Sequence, residues 1–458
     1  MKNLFYFFCV SFLKKQLANN IFAFLTLLFL LLPQQSCNTT EPPPFKEELP
    51  KAIKLKLLDV SCTEAFIKVS AADTVLPVNI TLKKDNTALF SFTLTKTDTV
   101  VIDTTLQPNI TYSYQTTAQI KGKEENSDTI QVKTLNTTSH NFTWQKFEFG
   151  GMGGSSVLYD VAIINENDIW AVGEIYADTT GQAYNAVHWN GTSWELKRIQ
   201  TYFRGNLITV PLEGIFAFSS TDIWMVGSLP IHGNGNDWTM YDLRTTVDPN
   251  LSLSKAWGSS SNDMYFVGRA GSIAHYKNGS WSKIESGTDL PINDIYGSAN
   301  PFNGKTEVIC VVSDAFINTG LKVIKIYEND SSEFLNNNGL KWSIGSIWFS
   351  AGVRYYIAGS GLYEMTYSET NLWRDLNLNR SITQYHMDCI RGNKLNDIIV
   401  TGAYGEVLHF NGLSWKSLRN SSTELSYGSY FKISIKGKMA CMVGYDDRKA
   451  VILLGHHL

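Results

Sequence analysis

Paired cysteines are missing from this chain. Its six cysteines, Cys9, Cys37, Cys62, Cys310, Cys389 and Cys441, include no C-x-x-C and no matched spacing. That excludes a zinc ribbon, a thioredoxin-type redox motif and a disulfide-dense scaffold. Cys62, Cys310, Cys389 and Cys441 read instead as small hydrophobes buried on strands, with two disulfides as the alternative in an exported protein. An excess of charge is missing as well: 39 Lys and Arg stand against 42 Asp and Glu, a net charge of −3. A nucleic-acid partner is excluded on that ground, since its basic footprint is absent. The Gly-x-Ser-x-Gly elbow, His-Glu-x-x-His, the Walker loop and the dinucleotide fingerprint do not occur, so the sequence nominates no catalytic residue, no metal ligand and no cofactor. Long apolar runs are scarce too. The run Ile21–Leu32 covers twelve residues, short of the roughly 20 that a membrane-spanning helix needs.

What the chain has in quantity is repetition. Asn-Asp-Ile-Trp-Ala-Val-Gly at 167–173 returns as Thr-Asp-Ile-Trp-Met-Val-Gly at 221–227 and Asn-Asp-Met-Tyr-Phe-Val-Gly at 262–268. Weaker copies end at Ser313, Gly359, Gly402 and Gly444, and the steps between the seven end-points are 54, 41, 45, 46, 43 and 42 residues. A period in the forties built from short β-like runs predicts a β-propeller, here with seven blades. The fold class is all-β: an N-terminal β-sandwich, then a C-terminal seven-bladed propeller over 140–458.

The N-terminus reads as an export signal. Lys14-Lys15 precede the apolar core, and Pro33-Gln34-Gln35-Ser36-Cys37 follows it. A small residue before Cys, directly after such a core, resembles a bacterial lipoprotein signal, with Gln34 as a departure from the usual apolar residue. The resemblance implies a signal peptide over 1–36, lipidation of Cys37, a lipid anchor in the membrane and a place in the bacterial cell envelope at the outer membrane. Residues 37–51, with Pro42-Pro43-Pro44 and Pro50, form a stiff polyproline-like spacer.

Residues 52–136 alternate in the manner of six or seven short strands, a β-sandwich pattern. Leu106-Gln107-Pro108-Asn109-Ile110-Thr111-Tyr112 resembles the Leu-x-Pro-x-x-x-Tyr stretch of fibronectin type III domains. The resemblance implies that Tyr112 caps a corner and, since the usual core Trp is missing, that Phe66 fills its volume.

Within each repeat the turns Asn262-Asp263 and Asn278-Gly279 suit tight hairpins, and the Gly ending the second strand suits close backbone approach. The stretch from Trp257 to Trp281 resembles a repeat of secreted bacterial propellers and, weakly, the Asp-box of sialidase-type propellers. The last repeat lacks its outer strand. Phe142–Phe147, with Trp144, resembles an outer strand and is expected to close the ring.

His188, His275 and His409 occupy equivalent places on different blades, too far apart to converge on one ion. Asp168, Asp222, Asp263 and Asp397 read as turn residues, one per blade, and His456-His457 as a frayed tail or, at best, an incidental metal grip. Arg198, Arg204, Arg244, Arg269, Arg354, Arg374, Arg380 and Arg391 are scattered. In a blade of strands a to d, the a–b and c–d turns lie on one face and the b–c and d–a connections on the other. Length varies in the second set: Glu174–Asn185, Gln200–Leu212 and Ser228–Asp237. Tyr176, Tyr184, Tyr202, Phe203, Arg204, His232 and Trp238 sit there, and aromatics with Arg are the usual binding anchors. The expected function is a non-catalytic envelope lipoprotein that binds a protein partner or a glycan through this long-loop face. The alternatives are a carbohydrate-active hydrolase or lyase, and an assembly or scaffold factor for an envelope complex.

Overall fold

A computed structural model describes residues 51–314, 318–367, 371–425 and 427–458. Residues 1–36, Cys37 and the Pro-rich spacer up to 50 lie outside the described residues. Lys51–Leu458 forms one compact unit. Among the described residues no helix is long and apolar enough to cross a membrane.

The chain first makes two sheets. Ile53–Val60, Ala65–Ala71 and Asp98–Asp103 form one; Thr87–Leu94, Val78–Lys84, Thr111–Ile120, Lys123–Asn126 and Ile130–Lys133 form the other. Alternation decides what lies between them. Ala65, Ile67 and Val69 face inward onto Ile80, Leu82, Tyr114 and Val132. Phe66 sits one residue out of that phase and points the other way, so it does not fill the space of a core Trp. It enters a cluster with Trp348, Tyr356 and Leu408 of the repeat region. The Tyr112 hydroxyl accepts the Gln107 N–H at 2.9 Å.

Among the described residues, seven four-stranded antiparallel sheets follow. The inner strands are Val157–Asn165, Gly214–Ser219, Leu253–Ser260, Ile292–Ala299, Ile344–Ser350, Met387–Lys394 and Ser429–Lys436. The second strands carry the repeated phrase. Ile169 and Ala171 of the first sheet pack against the seventh, while Trp170 and Val172 pack against the second. Both faces of each second strand are therefore buried, so it reads as a continuous apolar run with no polar alternation. An apolar cluster fills each junction between neighbouring sheets, and the sheets close into a ring, a β-propeller. A Cβ on Gly173, Gly268, Gly359, Gly402 or Gly444 would strike the backbone of the adjoining inner strand.

Closure follows the sequence expectation. Phe142–Phe149 pairs along its whole length with Lys449–His457, from Phe142↔His457 to Ala450↔Phe149. The same pairing corrects the expectation for the C-terminus: His456 and His457 belong to a paired strand and are not a frayed tail. Cys62, Cys310, Cys389 and Cys441 are buried and free.

The first two sheets dock on the short-turn face. Asp59 accepts the Ser350 hydroxyl at 2.6 Å, Glu64 pairs with Arg354 at 2.6 Å, and the Lys68 ammonium lies 4.1 Å over the Phe302 ring. Thr138 donates to Asn396 O at 2.6 Å, and Asn396 donates to Asn136 O at 2.7 Å. All these propeller partners sit in or beside a–b turns.

Candidate functional site

The repeated aspartates and histidines belong together, which their separate sequence readings did not anticipate. Asp168 bonds His188 at 2.9 Å, Asp222 bonds His232 at 2.9 Å and Asp263 bonds His275 at 2.8 Å. Each imidazole also stacks on the aromatic of the repeated phrase: Trp170 on His188 at 4.2 Å, Trp224 on His232 at 4.1 Å and Tyr265 on His275 at 4.0 Å. The Asp begins strand b, the His lies opposite on strand c, and the aromatic two residues beyond the Asp covers the ring. This is a clasp within one sheet, and a charge-assisted bond of this kind contributes about 1.5–3 kcal/mol.

His232 is therefore part of a clasp and does not belong to a binding loop. Ser228–Asp237 is not a b–c insertion, because Pro230–Gly233 within it is strand c of the second sheet, paired on both sides. Trp238 begins the outer strand and meets Trp170 edge-on at 6.0 Å. Gln200–Leu212 is an ordered ribbon, Gln200–Phe203 against Asn206–Thr209. At its tip Arg204, with φ +50°, donates to Asp242 at 2.9 Å and to Thr245 at 3.0 Å. Phe203 packs inward toward the Trp224 cluster. Tyr184 lies beneath the Arg198 guanidinium at 4.2 Å, and Tyr176 donates to Glu174 at 2.7 Å. Of the seven nominated residues, Tyr202, at 71 % exposure, and Arg204 are the exposed ones. Phe203 and Arg204 are held together at one ribbon tip, the guanidinium 5.0 Å from the ring centroid.

A denser surface group lies elsewhere on the same face. Tyr385 and Tyr404 stand 5.5 Å apart. The Arg419 guanidinium lies 4.7 Å over Tyr385 and 5.1 Å over Tyr427, and its Nε donates to Tyr404 O at 2.6 Å. Tyr404 is 61 % and Tyr427 75 % exposed. The group is built from the d–a connections on either side of the sixth sheet and from its b–c connection, where Tyr404 takes φ +57°. Loop length drew attention to the first two sheets and away from these connections. The findable signal was three tyrosines and an arginine in consecutive connections of one face.

The ring axis carries a second constellation that sequence reasoning missed. Equivalent positions diverge on outer strands but converge on inner ones. A β-bulge recurs near the start of the inner strands, and the residues just after it include Asp160, Lys255, Asp294, Ser346, Cys389 and Lys432. Asp294 is buried and takes two bonds from Arg391, at 2.8 and 2.9 Å, one from Lys432 at 2.7 Å and one from Ser346 at 2.6 Å. Burial opposes its ionisation, but Arg391 and Lys432 outweigh it and hold the carboxyl far below the ordinary range. Burial pushes the Lys255 ammonium down, and its Nζ donates to Glu213 O at 2.7 Å. A cavity of about 300 Å³ runs beside these groups, lined by Asp160, Lys255, Trp257, Tyr296, Arg391 and Lys432. The acids bridge between sheets: Asp160 accepts from Ile215 N at 3.3 Å and Asp294 from Ile347 N at 3.2 Å. Chemically this is an ion network that ties inner strands together around a small polar cavity.

On the short-turn side of the sixth sheet, Asp397 meets His409 at 3.2 Å and His457 at 3.5 Å. His140 reaches His409 from the segment before the closing strand, Nδ1 to Nδ1 at 2.8 Å. His188, His275 and His409 belong to separate sheets, each with its own Asp partner.

No protein-family model and no curated protein sequence matches this chain. Solved structures do. A structure of YCF48 bound to D1 peptide is 15% identical and covers 70% of this chain and 100% of its own, at a TM-score of 0.51. YCF48 from Cyanidioschyzon merolae is 16% identical over 68% of this chain and 98% of its own, at 0.47. The WD40 beta propeller domain of Doa1 is 11% identical over 68% and 97%, at 0.45. At such identities the likeness speaks for the fold alone, and of these three the first carries the argument: over the repeat region, this chain is a β-propeller.

Proposed function

We propose that this chain is a seven-bladed β-propeller with a fibronectin type III-like sandwich at 52–136, and that it binds a protein partner through the b–c and d–a face. The single observation that carries this is the division of labour between the faces. The N-terminal sheets occupy the short-turn face, whereas the opposite face presents Tyr404 and Tyr427 around Arg419. Exposed tyrosines beside arginine supply large contact area at low cost in side-chain entropy. One structure of YCF48, the protein of like fold, carries a D1 peptide; peptide binding by this chain is part of the proposal and does not follow from that likeness.

The proposal keeps the lipidated Cys37 as the tether and the envelope as the location. It keeps the reading that the protein binds without catalysis, with a glycan as the other ligand class. Capture from envelope extracts by the full chain, set beside capture by a Tyr404→Ala/Tyr427→Ala variant, tests the face. Recovery of the partner should fall several-fold with the melting temperature unchanged. A partner retained in full by the variant would sink this placement. Cys37→Ala tests the tether independently, by loss of palmitate labelling.

A further inference from the structure

We propose that Asp397, His409 and His457 form a binding site for a divalent cation of the zinc class. The three offer one ligand atom each, and those atoms lie within 4.8 Å of one another. Asp397 Oδ1 stands 3.2 Å from His409 Nε2 and 3.5 Å from His457 Nε2. Two ligands at the ~2.0–2.1 Å bond length of a tetrahedral zinc stand roughly 3.3–3.4 Å apart. The two separations from Asp397 bracket that edge, and the three ligand atoms stay within 4.8 Å of one another. Two imidazoles and one carboxylate are also a donor set that zinc accepts.

Burial and hydrogen bonding point the same way. His409 is fully buried, and His457 and Asp397 nearly so. His457 Nε2 is buried without a hydrogen-bond partner, although it faces the Asp397 carboxylate. A cation between the two would satisfy both. His409 is oriented from behind, since its Nδ1 meets His140 Nδ1 at 2.8 Å. If His409 donates that proton, its Nε2 lone pair is turned toward Asp397, the tautomer a metal requires. The Thr138 hydroxyl, 3.5 Å from His409 Nε2, borders the remaining side.

The sixth sheet differs from the first three at the place that matters. There the clasp imidazole is covered by Trp170, Trp224 or Tyr265. Here the corresponding position is Ile399, and the ring instead meets Phe142 edge-on at 5.2 Å together with two further imidazoles. Asp397 and His409 come from the sixth sheet, His457 from the last strand of the seventh, and His140 from the segment that leads into the closing strand. A bound ion would staple the ring where its two ends meet.

The test uses the full chain, stripped with chelator and titrated with zinc chloride, read by calorimetry and by melting temperature. Saturable uptake of one equivalent with a rise in melting temperature is expected. His457→Gln should weaken that uptake by about tenfold or more, since binding needs the whole donor set. His456→Gln, at the exposed neighbour, and His188→Gln, at an ordinary clasp, should leave it intact. Cobalt replacing zinc in the wild type should give the intense visible bands of a four-coordinate site, a readout independent of whether any variant folds. Wild type without saturable uptake overturns the proposal. So does uptake that survives in His457→Gln, or uptake that is lost in His456→Gln, which would place the ion on the exposed end of the chain.

Discussion

The two faces of the ring are made from the same repeat yet have opposite characters. On the short-turn face the polar groups are spent on one another: Asp–His clasps, the Glu64–Arg354–Glu364 ion group and the Asp397 cluster. On the long-loop face tyrosines are left facing water around the half-buried Arg419. The difference teaches where selection for shape ends. A turn of fixed length can be fastened in each repeat by the same few residues. A connection of variable length cannot, and it is free to carry contacts that serve something outside the chain.

Arginine gives the sharpest way to break this comparison. Arg354 is buried between Glu64 and Glu364, at 2.6 and 3.3 Å. Arg354→Ala leaves Glu64 without its cation and Glu364 with Arg374 alone, at 2.6 Å, and should cost about 3 kcal/mol. Arg419→Ala, on the other face, should cost no more than about 1 kcal/mol. Chemical denaturation of both variants checks the contrast, and equal losses would erase it.

A second contrast is one of pH. Asp388 occupies the bulge of the sixth inner strand, where burial pushes its carboxyl up to about 7. A carboxyl raised on folding favours the protonated native state. Its contribution is complete below the unfolded value near 4 and is lost as pH rises through about 7. Asp388→Asn should therefore be more stable than wild type at pH 8 by ~2–4 kcal/mol and nearly equal to it at pH 4. Melting curves across that range check it, and parallel curves for the two proteins would refute it.

Smaller effects separate packed from presented aromatics on the long-loop side. Trp238→Ala and Phe203→Ala should each lower stability by about 2–4 kcal/mol, since both rings pack into clusters between sheets. Tyr202→Ala and Tyr427→Ala should stay within about 0.5 kcal/mol of wild type. Thermal unfolding of the four variants orders them.

Much of the ring was legible because it repeats. The phrase that ends in Gly173, Gly227 and Gly268 marked every second strand, and the Trp144 segment announced the closing strand. What stayed hidden needs distance information that a repeat period does not hold. Asp168 and His188 read as unrelated until strands b and c place them across from one another. Arg391 looks scattered in the sequence, and Asp294 and Lys432 draw no notice there, because a period places residues of different repeats far apart, which is true of outer strands and false at the axis. Phe66 was assigned to the wrong core because its neighbours Ala65 and Ile67 already owned the inward phase. Among the binding candidates, loop length pointed to the ribbon at Tyr202 and away from the Tyr385, Tyr404 and Tyr427 group, which no insertion marks.

The claim that the long-loop face is the binding face is tested most directly by placing a photo-crosslinking residue at one position on each side. Tyr427 is 75 % exposed in a d–a connection and Leu413 is 53 % exposed in a c–d turn. Irradiation of the full chain in its native host cells should give partner adducts at position 427 and none at position 413. Adducts at position 413 with none at position 427 would contradict the account and move the site to the face that the N-terminal sheets share.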